Sequence, residues 1–118
     1  MISEILFNKG GITSSLSMPI NGTALFSQMP KSNRGIIDVS ISNATGTSGN
    51  KLIACIQGRL SDDQEFVNVL LNDTQSEFQL TTTVPAITFE DVQLFPQMRA
   101  QIVSCSFASV DFLVRIGH

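Results

Sequence analysis

Apolar and polar residues alternate with a period of two along much of this chain. Ile37, Val39 and Ile41 fall on one side of a stretch whose other side carries Asp38, Ser40 and Ser42. Val110, Phe112, Val114 and Ile116 repeat the pattern near the C-terminus. Successive side chains of a strand point to opposite faces, so each pattern predicts a strand with one face on a core and the other in water. Residues 52–60 and 66–71 are apolar on both faces in places, which predicts either central strands of a sandwich or strands covered by a neighbouring subunit. Turn formers interrupt these stretches at hairpin spacing: Asn21-Gly22, Ser32-Asn33-Arg34-Gly35, residues 43–50, Ser61-Asp62-Asp63-Gln64 and Asn72-Asp73-Thr74-Gln75. Pro85 and Pro96 mark strand ends or edges, because proline cannot donate to a ladder. Ala108-Ser109 is the expected reversal between residues 99–107 and 110–117. A bulge or a continuous bent strand is the alternative there, since neither residue favours a positive φ.

The balance of residue types points the same way. Val, Ile and Thr total 29 residues against 13 for Ala, Glu and Lys, a bias toward side chains that pack on a pleated surface. No helix longer than a turn is expected. The prediction is an all-β chain of about eight strands, folded as a single antiparallel β-sandwich or jelly-roll-like barrel. At 118 residues the chain is one domain long. Residues 1–22 differ in character: Gly10-Gly11 and the serine-rich residues 13–17 would leave Ile2, Ile5, Leu6 and Phe7 on a leash. They are expected to form either an N-terminal arm that docks on a partner or an edge strand, with the sandwich domain covering residues 23–118.

Only 14% of the residues are charged, with seven Lys and Arg against ten Asp and Glu, for a net charge of -3. Surface polarity must come from the 38 Ser, Thr, Asn and Gln residues. The few basic residues are scattered, which argues against a grip on nucleic acid. Apolar runs fall far short of the roughly 20 residues of a membrane helix, and the first residues lack the basic start of a secretory signal. Neither a membrane nor that export route is expected.

Candidate chemistry is sparse. The one histidine is the final residue, His118, expected at a frayed end, so metal clusters and His-dependent nucleophiles have little to be built from. The chain is expected not to be an enzyme and to use no metal or cofactor. Asp62, Asp63 and Glu65 lack the calcium-loop order and read as solvated loop charges. The sequons at Asn21, Asn43 and Asn72 read as turns. Cys55 and Cys105 lie in apolar stretches and are expected to be reduced core thiols, a disulfide being the alternative. Phe26, Phe66, Phe78, Phe89, Phe95, Phe107 and Phe112 are assigned to core packing, and the absence of Trp and Tyr weakens a sugar- or base-stacking role. Arg99 and Arg115 interrupt apolar strands with Asp111 nearby in sequence. They read as an outer-face ion pair or as contacts at a subunit interface.

Three segments, Val84-Pro85-Ala86-Ile87-Thr88-Phe89, Leu94-Phe95-Pro96-Gln97-Met98-Arg99-Ala100-Gln101-Ile102 and Val110-Asp111-Phe112-Leu113-Val114-Arg115-Ile116-Gly117, resemble the endings of small β-sandwich virion proteins of tailed bacteriophages. The resemblance is one of style, covers about residues 36–117 and has no invariant motif. It implies a structural virion protein made in the host cytoplasm. The form it favours is a capsid decoration (cement) subunit on the capsid surface, bridging major capsid proteins as a homo-oligomer, with a trimer favoured. Ile2, Ile5, Leu6, Phe7, Arg99 and Arg115 are then the expected partner contacts. The alternative from the same residues is a small carbohydrate- or receptor-binding module of a tail or fibre.

Overall fold

The structure is a computed structural model that describes residues 3–26 and 34–118. Its secondary structure is all β: β1 (Ser3–Ile12), β2 (Ile20–Asn21), β3 (Leu25–Phe26), β4 (Arg34–Thr45), β5 (Leu52–Arg59), β6 (Val67–Asn68), β7 (Glu77–Leu80), β8 (Ala86–Gln93), β9 (Gln97–Cys105) and β10 (Ser109–Gly117). One sheet has the order β1-β10-β4-β8. In the other, β9 and β5 pair at the centre, β2 and β3 flank β9, and β6 and β7 flank β5. Every pairing is antiparallel. If β2 with β3 and β6 with β7 each count as one interrupted strand, the sheets read 1-8-3-6 and 2-7-4-5, the arrangement of a jelly roll. The expected eight strands become ten because two of them are broken.

Period-two alternation builds the core. Ile37, Val39 and Ile41 of β4 and Val110, Phe112, Val114 and Ile116 of β10 turn inward from the first sheet. Leu52, Ala54 and Ile56 of β5 and Met98, Ala100 and Ile102 of β9 meet them from the second. Phe78 of β7 reaches across, its ring 6.1 Å from Phe112 and 5.8 Å from Phe89, both on the opposite sheet. Tilted ring pairs at such separations add to burial.

Three expectations need correction. Residues 66–71 do not make a central strand. Only Val67 and Asn68 pair, at the sheet edge, because Val69 and Leu71 fold into the core while Val67 and Leu70 stay exposed. Residues 108–109 do not close a hairpin, since β9 and β10 belong to different sheets and the intervening residues carry the chain from one to the other. His118 is not a loose end: its side chain is largely covered and lies 3.5 Å from Glu4.

Residues 3–12 lie along β10 as the edge strand of the first sheet. A register shift between Ile5 and Phe7 lets Leu6 enter the core and Phe7 pack 5.5 Å from the Phe112 ring, where strict alternation would have turned one of them out. A second shift, between Lys9 and Ile12, holds Gly11 at φ 66. Asp111 fastens this bulge: its carboxylate accepts from the Gly11 N–H at 2.9 Å and from Asn43 Nδ2 at 2.8 Å, tying β1, β10 and β4 together. Asp111 is therefore not the partner of either arginine. Asn43 is itself left-handed, at φ 51, a conformation that asparagine tolerates better than most residues.

Two outcomes follow. Phe78→Ala removes the ring that joins the sheets and should cost about 3–5 kcal/mol in denaturant unfolding. The Asn43 amide, with help from the Gly11 N–H, holds the Asp111 carboxyl below the usual carboxylate range. Its contribution is therefore complete above the ordinary value of about 4 and is lost as pH falls through the lowered one. Hydrogen exchange should show Gly11 losing protection in Asp111→Ala at neutral pH, with the native protein reaching that state only in strong acid.

Candidate interaction surface

The outer face of the second sheet is where the polar side chains of this chain are most densely joined. Outward on β5, after Ile53, come Cys55, Gln57 and Arg59, and outward on β9 lie Gln97, Arg99 and Gln101. The register pairs them directly: Cys55 with Gln101, Gln57 with Arg99, and Arg59 with Gln97. Asn68 lies beside Gln57 on one flank and Asn21 beside Gln101 on the other. Directly opposed residues of an antiparallel pair have Cβ atoms only about 5 Å apart, close enough for these side chains to bond.

They bond throughout. Gln101 Nε2 donates to Asn21 Oδ1 at 2.8 Å, Gln57 Nε2 to Asn68 Oδ1 at 3.0 Å, and Arg99 Nε to Gln57 Oε1 at 2.8 Å. Arg59 Nε donates to Gln97 Oε1 at 2.7 Å, and Gln97 Nε2 donates on to Asp62 Oδ1 at 2.6 Å. Phe66, brought back by the turn after β5, lies under both guanidiniums, with Arg59 4.2 Å and Arg99 4.0 Å from its ring centre. Contacts of this kind are worth roughly 0.5–1 kcal/mol each when exposed and more when desolvated. The packing is tight enough to leave Gln57 and Gln97 less than a tenth exposed, although they face away from the core.

Cys55 belongs to the same face. It is buried, and its thiol lies 3.5 Å from both Asn68 Oδ1 and Gln101 Oε1. Burial pushes the thiol up to about 11, with the nearby Glu77 carboxylate adding to the effect. It is therefore a protonated hydrogen-bond donor rather than a nucleophile. Both cysteines are free. Among the described residues no group of three His, Cys, Asp or Glu side chains could hold a metal ion. What the surface presents is arginine and an aromatic ring, residue types frequent at binding hot spots, held in one fixed geometry.

Of the expected contact residues, Arg99 lies at the centre of this face. Arg115 is exposed on the outer face of the first sheet, opposite Asp38 of β4 and Ile5 of β1, so the two arginines sit on opposite sides of the sandwich. Ile5 is half exposed, Leu6 is in the core, Phe7 is half-buried, and Ile2 lies outside the described residues. Sequence reasoning missed Arg59, Gln57, Gln97 and Phe66. The first three were visible as alternate polar residues in two apolar strands. Phe66 gave no such signal, because a phenylalanine beside Val67 reads as core. Asp62 was read as a solvated loop charge; it is exposed but anchors Gln97 and lies 3.6 Å from Arg59.

No family model matches the chain, and no curated protein matches its sequence. A solved structure described as the SPBc2 prophage-derived protein YomS is similar over 100% of this chain and 96% of its own, with 14% identity and a TM-score of 0.48. A likeness that loose is no guide to a shared role.

The buried, protonated state of Cys55 predicts that iodoacetamide at pH 8 modifies the partly exposed Cys105 first. Cys55 should react only after denaturant is added, as peptide mass mapping would show. Equal rates in the native protein would mean that the outer face opens readily.

Proposed function

We propose that this protein is a structural subunit of a tailed-phage virion, of the capsid-decoration type, and that it docks on the shell through the outer face of its second sheet. The observation that carries this reading is the joined layer of Arg59, Phe66, Arg99 and their amide partners. Subunits that bridge a shell need a broad, stiff surface more than a deep pocket. Ordering these long side chains in advance reduces the entropy lost on association, about 0.5–1.5 kcal/mol for each side chain that a partner would otherwise have to immobilise. The low charge of the chain suits repeated close packing, because charged residues are depleted at interface centres. The resemblance of residues 36–117 to small virion β-sandwiches supports the same assignment. The partner on this reading is the major capsid protein, and symmetry multiplies modest contacts into a strong hold on the shell.

The test is co-sedimentation of the purified protein with phage heads that lack it, alongside light scattering of the free protein. The native protein should pellet with heads. Arg99→Glu reverses the central charge and removes the bond to Gln57 and the contact with Phe66, so it should lower the unfolding midpoint; assayed well below that midpoint it should weaken retention by about tenfold or more, whereas Arg115→Glu on the opposite face should bind normally. Native protein that fails to pellet, or an Arg99→Glu variant that binds as well as native, would overturn the assignment.

A further inference from the structure

A groove of about 740 Å³ opens at the edge of the sandwich where β8 faces β6 and the turn that follows it. That size falls within the range of small-ligand sites. We propose that this groove binds a neutral polyhydroxylated ligand, a short saccharide. This is a binding activity separate from shell docking, and it stands or falls independently of that reading.

The lining carries the argument. Leu70, more than half exposed, and Phe95, half-buried, give the groove apolar surface on which the C–H faces of a sugar ring can rest. Around them stand Gln93, whose amide offers both donor and acceptor, Asn68, which offers its Nδ2 donor because its Oδ1 already accepts from Gln57 and Cys55, and Asp73 and Glu90, which accept only. A hydroxyl group both donates and accepts, so a polyol can use every one of these groups. A cationic side chain would use the acceptors alone and leave the amide donors of Asn68 and Gln93 without partners. An anion would face Asp73, Glu90 and Asp91.

The groove is also held open by its own bonds. Arg34 Nε donates to Asp91 Oδ1 at 2.9 Å, and the guanidinium also bonds the Asp91 carbonyl, which fixes Asp91 in a left-handed conformation at φ 54. A left-handed residue within an edge strand distorts the ladder there and keeps another strand from adding to it. On the other wall, Asn72 Oδ1 accepts from the backbone N–H groups of Thr74 and Gln75, closing the turn that presents Asp73. Val69 and Leu71, buried between the exposed positions, anchor that wall in the core.

The experiment is an NMR titration of the ¹⁵N-labelled full chain with trisaccharides of glucose, galactose and N-acetylglucosamine, with trilysine run as a separate arm. At least one trisaccharide should produce saturable shifts confined to residues 68–73 and 90–95. Asp73→Ala and Gln93→Ala, both at exposed positions where the fold should persist, should each weaken that binding by about tenfold, the effect of losing roughly one good hydrogen bond. Absence of saturable shifts with all three sugars, shifts elsewhere on the protein, or binding of trilysine alone would overturn the proposal.

Discussion

Neither sheet of this protein can hold its shape without the other, because the chain changes sheets at almost every connection. Only the step from β5 to β6 and β7 joins neighbours in the same sheet; β1, β4, β8 and β10 are brought together from distant parts of the sequence. Their common support is the pair of apolar inner faces, locked where Phe78 meets Phe112 and Phe89 across the sandwich. Burial of these faces must offset the loop-closure entropy of nearly every strand pairing in the fold. Such topologies fold slowly for their size.

The outer face of the second sheet inherits its geometry from that core. Ala54, Ile56, Ala100 and Ile102 fix β5 and β9 from below, so the residues between them are aligned above as directly opposed pairs. The register that buries Ile56 and Ala100 as a pair is the one that sets Gln57 against Arg99. A one-residue slip of either strand would turn that strand's polar members into the core. The hydrogen-bonded face is thus an outcome of core packing, and its stiffness comes from strands buried on one side and cross-linked on the other.

How much of this was legible in the sequence depended on whether a signal was local. Alternation at Ile37 to Ile41 and at Val110 to Ile116 placed two strands with the correct face inward, since strand periodicity is written in adjacent residues. Arg99 was a candidate contact because it interrupts an apolar stretch, a signal that is equally local. What escaped was whatever depends on contacts between distant residues. The bulge that carries both Leu6 and Phe7 toward the core exists only in the pairing of β1 with β10, and the second bulge, at Gly11, is fastened by Asp111, a hundred residues away. The outward placement of Phe66 needs two arginines from two strands. The groove needs β8 and β6, which are neighbours only once the sheets have closed.

The docking surface proposed for this protein is the polar outer face of the second sheet. Hydrogen–deuterium exchange of the free protein and of the protein bound to phage heads tests it most directly. On binding, residues 55–59, 66–68 and 97–101 should gain protection, while the outer face of the first sheet, residues 38–42 and 111–115, should exchange as it does in the free protein. Protection gained on the first sheet alone would contradict the account and move the docking surface to the face that carries Arg115.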